Sequence, residues 1–230
     1  PRNYEYMYYK NNGEAELPQP KKVQYGTKLT APEVVRPGFI FKGWYENADF
    51  SGEEYQFLTM PSKDIKLYAK WAAEEYEIIF ESNGGSDVET ISQPYGSDVV
   101  APGEPTKDGY NFIGWYDNEE LSGEAYEFDT MPLGGITLYA KWEAKELQID
   151  FITNCDETIA PIKQAYGTSI TKPQDPAREG YKFIGWDEDG DQQADTFPEK
   201  MPSKAITFVA IWEIIEYTIT YLDELDNNCK

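Results

Sequence analysis

A spacing of 71 residues recurs along this chain of 230: it separates Trp44 from Trp115, Trp115 from Trp186, and Gly38, Gly109 and Gly180 from one another. Tyr25-Gly26, Tyr95-Gly96 and Tyr166-Gly167 fall in step with it. So do Met60-Pro61, Met131-Pro132 and Met201-Pro202, and Trp71, Trp142 and Trp212. Self-similarity at a fixed period is the mark of a tandem array, and it overrules the one or two domains that length alone would indicate. The repeats run over residues 1–73, 74–144 and 145–214. Residues 215–230, IEYTITYLDELDNNCK, match the opening of the second repeat and read as the start of a fourth, so the array is expected to continue in a longer protein.

A repeat of about 70 residues can bury only a small core, which must be rich in large side chains to be stable. The 15% aromatic content meets that need. No apolar run reaches the roughly 18 residues of a membrane span, and no secretion signal is visible. Histidine is absent, which removes Ser-His and Cys-His nucleophile pairs and histidine metal sites. The two cysteines, Cys155 and Cys229, form no zinc or redox spacing. They follow the first strands of consecutive repeats, too far apart for a disulfide. Net charge is −22 but unevenly spread: residues 1–73 carry +1, residues 74–144 carry −14, residues 145–214 carry −6 and the tail −3. That surface repels nucleic acid and anionic lipid, and it is read as a soluble exterior of a monomer without membrane insertion.

The second repeat shows the local pattern most clearly. EYEIIFESNGGSDVETISQPYG reads as two strands around a tight hairpin at Asn83-Gly84-Gly85, with Asn12-Gly13 at the same place in the first repeat. The third repeat has no glycine there, so its turn must differ. A proline-bearing crossover follows, which forbids a central strand and a long helix. In the third repeat, Asp175 is placed to cap one helical turn, with Pro176 inside it and Gly180 past its end. Alternation then puts Tyr110, Phe112 and Gly114, and their equivalents, on one face. Strict alternation turns Trp115 away from that face, but the glycine before it marks a bulge that would turn the indole inward. After an acidic tip, YQF, YEF or DTF and then Met-Pro, a last strand reads IKLYAKW, ITLYAKW or ITFVAIW. The result is about five short strands per repeat. Five-residue steps from Trp71 to Tyr76, Trp142 to Leu147 and Trp212 to Tyr217 indicate stiff linkers.

GYNFIGWYDNEELSGEAYEFDTMPLGGITLYAKW, preceded by YGSDVVAPGEPTKDG, resembles the Listeria–Bacteroides repeat, the B repeat of internalin B-like proteins. All three repeats match, through Tyr-Gly, Gly-(Tyr/Phe), Gly-Trp, Met-Pro and the final Ala-x-Trp. The resemblance implies a β-rich (α+β) fold of small tandem β-grasp domains, ubiquitin- or SUMO-like, which the short linkers are expected to string into an elongated rod. It also implies display on secreted or wall-attached bacterial proteins, many of them adhesins, and it supplies no catalytic residues. The third repeat departs from it at Asp187, where the others have Tyr45 and Tyr116.

In DEDGDQQAD, Asp187, Asp189 and Asp191 are spaced like calcium ligands. An EF-hand loop needs a glycine at its sixth position and a glutamate at its twelfth, whereas here the glycine is fourth and Pro198 is twelfth. A solvated turn is therefore the reading. The Gly-Trp tryptophans can serve as sugar-stacking surfaces or as buried anchors; their recurrence in every repeat favours anchors. No carboxylate pair has the apolar setting that splits pKa values, and no phosphate-binding or nucleophile-elbow pattern occurs. The expectation is no catalytic, cofactor or metal site, and a structural stalk of an extracellular, wall-associated protein. The alternative is a module that binds a host protein or glycan.

Overall fold

The computed structural model describes residues 2–9 and 17–219. Asn12-Gly13, the tail from residue 220 onward and Cys229 lie outside the described residues. Each repeat builds one four-stranded sheet. The first comprises β1 (Asn3–Tyr9), β2 (Lys21–Gln24), β3 (Phe39–Tyr45) and β4 (Ile65–Ala73). The second has β5 (Glu75–Glu81), β6 (Ile91–Pro94), β7 (Tyr110–Tyr116) and β8 (Ile136–Ala144). The third has β9 (Glu146–Ile152), β10 (Ile162–Ala165), β11 (Tyr181–Asp187) and β12 (Ile206–Ile214). Strand order is the same in all three, β2-β1-β4-β3, β6-β5-β8-β7 and β10-β9-β12-β11.

The first and last strands of each repeat lie side by side in the middle of the sheet and run parallel. Tyr6 faces Ile65 and Tyr8 faces Leu67; Ile78 faces Ile136 and Phe80 faces Leu138; Ile149 faces Ile206 and Phe151 faces Phe208. Because alternate residues of a strand point to one side, these pairs line a single face. That face is where the core sits: Ile65, Leu67, Ile78, Leu138, Ile149 and Phe208 are all buried. The Met-Pro methionines, Met60, Met131 and Met201, close it from the loop side and are fully buried as well. Each of these side chains contributes roughly 1.5–3 kcal/mol by leaving water. One edge of each sheet is kept short by the four-residue β2, β6 and β10, with Pro94, opposite Glu75, ending β6 on that edge strand.

The β-rich expectation holds; its helical component does not. Among the described residues there is no helix. The proposed helical turn at Asp175 is not formed: residues 171–177 are irregular, and Asp175 instead pairs with Lys172 at 2.6 Å. Among the described residues each repeat has four strands rather than five. The YQF, YEF and DTF segments run alongside the sheet without joining it, and just beyond them single bridges form, Lys28 to Thr59, Asp98 to Thr130 and Ser169 to Lys200. The turn at Asn83-Gly84 is present, with φ of 50° and 81°, but β6 starts only at Ile91, so the connection is a loop and not a tight hairpin. In the third repeat that loop turns at Asn154 and is tied by the Thr153 hydroxyl, which donates to the Glu157 carbonyl at 2.5 Å.

Spatial grouping does not follow the repeat boundaries. One compact unit holds Pro1–Pro105 and Gly114–Lys141; the other holds Thr106–Ile113 and Trp142–Lys230. Within the first, the core of the first sheet is Tyr6, Leu29, Trp44, Met60, Ile65, Leu67 and Ala69. Within the second, Ile149, Trp186, Met201, Ile206, Phe208 and Ala210 form the core of the third sheet.

Candidate functional site

The Gly-Trp corner is where sequence reasoning placed the choice between a binding surface and an anchor. The β3–β4 register shifts between Phe41 and Gly43, and the β11–β12 register between Phe183 and Gly185, so a bulge sits at the glycine. The bulge rotates the next residue to the core side, and Trp44, Trp115 and Trp186 are 2%, 4% and 2% exposed. Across the ladder the indoles of Trp44 and Trp186 face Ala69 and Ala210, whose small side chains leave room for them. The glycine also lets the returning loop close in. A Cβ at Gly43 would lie 2.6 Å from the Glu54 side chain, and one at Gly185 would lie 2.5 Å from that of Ala194. The loop is then fixed by N–H donation to the tryptophan carbonyl, from Tyr55, Tyr126 and Asp195, each at 2.7 Å. These tryptophans are anchors and present no stacking surface.

In the acidic loop of the third repeat the structure gathers Asp187, Asp189 and Asp195, with carboxylate oxygens within 4.8 Å of one another; Asp191 is not in the group. Asp187 is only 5% exposed, and both its oxygens are engaged. It accepts from the N–H of Gly190 at 2.7 Å and of Gln192 at 3.0 Å. Asp195 accepts from the Glu188 N–H at 2.7 Å, and Asp189 from the Asp191 N–H at 3.1 Å. Asp195 was missed in the sequence. The signal for it was there, since Asp187 and Asp195 stand where the other repeats have the tyrosine pairs Tyr45, Tyr55 and Tyr116, Tyr126. The loop is a turn held by carboxylates on backbone donors. Replacing Asp187 by Ala leaves two N–H groups without their charged acceptor and is expected to destabilise the third repeat by about 1.5–3 kcal/mol. Asp191→Ala, on the exposed tip, is expected to change stability by no more than about 0.5 kcal/mol. Urea unfolding followed by tryptophan fluorescence measures both, and equal losses would remove the special role of Asp187.

The remaining depressions are open grooves. One lies beside β5 and the Gly134-Gly135 turn, lined by Tyr76, Ile79 and Ser92; another runs between Val88 and Val100. Burial, reinforced by Tyr6, pushes the Tyr8 phenol far above its usual range, while the Ser51 hydroxyl and N–H hold the exposed Asp49 carboxyl down. Neither shift produces an acid or base that titrates near neutrality.

The Listeria-Bacteroides repeat domain model matches three successive segments, residues 4–70, 76–141 and 148–211. Two proteins of Evansella cellulosilytica are similar over most of the chain. One, provisionally named a membrane protein, is 37% identical over 195 residues, 84% of this chain and 29% of its own length. The other, provisionally named a Gly-rich membrane protein, is 36% identical over 217 residues, 93% of this chain and 25% of its own length. Internalin H of Listeria monocytogenes is 32% identical over 141 residues, 60% of this chain and 25% of its own length. The chain thus spans between a quarter and three-tenths of the length of these relatives. No helix among the described residues is long and apolar enough to cross a membrane. With its Gly-Trp corners, Met-Pro loops and Ala-x-Trp strands built three times over, the chain belongs to the Listeria-Bacteroides repeat family.

Proposed function

We propose that this array is a non-catalytic stalk of β-grasp repeats in a bacterial cell-surface protein, holding another domain away from the wall. One observation carries the reading: the repeats keep the same buried residues while their surfaces diverge, from net +1 to −14 to −6. A ligand shared by all repeats would need surface residues in common, whereas a spacer needs only a core that closes in each repeat. The names of these relatives, an internalin and two provisionally named membrane proteins, support the location. The central parallel pairing of first and last strands supports the β-grasp assignment.

A compact domain of about 70 residues has a diameter near 28 Å, so three in line give a rod of roughly 80–100 Å. Small-angle scattering of the chain is expected to give a pair-distance distribution extending that far. A distribution ending near about 60 Å would mean a globule and would remove the physical basis of a stalk. The second repeat supports a different reading for itself alone. Its 16 acidic and 2 basic side chains fit a basic partner, such as a host protein. Salt-sensitive retention of a cationic protein by this repeat, and by neither of the others, would favour binding over spacing.

A further inference from the structure

Two corners of the chain meet the following repeat in the same way. Tyr95 lays its ring over Gly38, where a Cβ would sit 2.2 Å from Tyr95 Cδ1; Tyr166 lies over Gly109, where a Cβ would sit 2.4 Å from its Cγ and Cδ1. The ring edge then meets the aromatic residue after the glycine, Phe39 at 5.7 Å and Tyr110 at 5.3 Å between centroids, nearly perpendicular in both cases. One linker residue ties the halves together. The Glu74 N–H donates to the Gly38 carbonyl at 2.8 Å, and the Glu74 carbonyl accepts from the Tyr95 N–H at 2.7 Å. Lys145 does the same between Gly109 and Tyr166, at 2.9 Å on both sides.

Among the described residues, each half of this joint exists a third time without its counterpart. The Arg2 carbonyl accepts from the Tyr25 N–H at 3.1 Å, which poses Tyr25 as Tyr95 and Tyr166 are posed, yet Tyr25 is 62% exposed. At the other end, the Ile215 N–H donates to the Gly180 carbonyl at 2.9 Å, and the Arg178 guanidinium lies 3.9 Å over Tyr181 as Arg36 lies 3.5 Å over Phe39. A Cβ at Gly180 would meet no described atom within 4 Å.

We infer that the Tyr25 corner and the Gly180–Tyr181 surface are complementary halves of one joint, each shaped to receive another repeat of this same kind joined in tandem. A repeat joined ahead of this one would place its glycine under Tyr25, and one joined behind would lay its tyrosine over Gly180. The occupant is specified by chemistry: a glycine whose Hα faces outward, next to an aromatic side chain, for Tyr25, and a Tyr-Gly corner for Gly180. One ring over one glycine is a small contact, so it forms when a tether of correct length raises the local concentration. The inference goes beyond the stalk reading and holds equally for an array that binds a partner.

The test is a fusion in which Ile214 of one copy is joined directly to Arg2 of a second, so that Arg2 takes the linker position of Glu74, Lys145 and Ile215. Proton NMR of the native chain is expected to show one Hα of Gly38 and of Gly109 shifted upfield by the ring current, and none of Gly180. In the fusion the first copy's Gly180 gains the same shift, and the second copy's Tyr25 is nitrated more slowly than in the native chain. Tyr25→Leu in the second copy abolishes the Gly180 shift. If Gly180 keeps its native position in a folded fusion, the two surfaces are not partners. If Gly38 and Gly109 are unshifted in the native chain, the joint itself is misassigned and the inference falls without recourse to the fusion.

Discussion

Trp44→Ala, Trp115→Ala and Trp186→Ala are each expected to lower the stability of their repeat by about 3–5 kcal/mol, the range for removing a large aromatic side chain from a closed core. Each indole is nearly sealed from water, and its neighbours are other rings. Trp44 meets Tyr8 at 4.8 Å and Phe41 at 5.5 Å; Trp186 meets Phe151 at 5.1 Å and Phe183 at 5.2 Å. Rings held by a sheet cannot collapse into the space left behind, so the cavity persists and adds to the lost transfer energy. The loss is one of packing, because the indole N–H groups of Trp44 and Trp186 are buried with no acceptor among the described residues. A donor left in that state costs about 1–3 kcal/mol, so Trp44→Phe removes a penalty along with some volume. It should therefore be much milder than Trp44→Ala. Denaturant unfolding, read by the remaining tryptophans, compares the two; equal destabilisation would overturn the packing account.

Gly109→Ala should destabilise by about 2–5 kcal/mol, from two separable sources. Gly109 has φ of 79°, a conformation that costs an L-residue roughly 1–2 kcal/mol. Its new methyl would also press on the root of the Tyr166 ring, whose Cγ cannot swing aside, at an overpacking cost of about 1–3 kcal/mol. Gly180 has the same backbone, φ 77°, and no ring above it among the described residues, so Gly180→Ala should show the first part alone. A double-mutant cycle isolates the second part, since Gly109→Ala made in a Tyr166→Ala background loses the clash and keeps the backbone cost. If the cycle shows no coupling, Tyr166 does not bear on Gly109. Gly38→Ala, under Tyr95, should follow Gly109→Ala.

The period, the core face and the inward tryptophans were legible because they depend on short-range rules: alternation along a strand, and a glycine bulge that resets it. The helical turn at Asp175 was not, because the capping pattern was present while the Asp175 side chain pairs with Lys172 instead. The missing fifth strand has a similar cause. YQF, YEF and DTF have strand-like composition, but the first N–H of each goes to the carbonyl of Trp44, Trp115 or Trp186, with single bridges just beyond, which no propensity records. Asp195 entered the acidic cluster ahead of Asp191 because left-handed residues at Gly190 and Gln192 fold the loop back on itself. Tyr95 and Tyr166 were visible as a repeated residue without a visible job, since their partners, Gly38 and Gly109, lie in the repeat before.

The parallel pairing at the centre of each sheet also decides how the protein meets mechanical force. The chain enters a repeat at the start of its first strand and leaves at the end of its fourth, and these two strands are neighbours running the same way. Tension on the chain therefore drags one strand backward along the other, in shear. The slanted hydrogen bonds of the parallel ladder, four paired residues in each sheet, are loaded together and must yield together. Strands pulled apart sideways would surrender the same bonds one by one. A repeat entered and left in this manner is expected to yield to pulling all at once rather than bond by bond, whatever residues cover its surface.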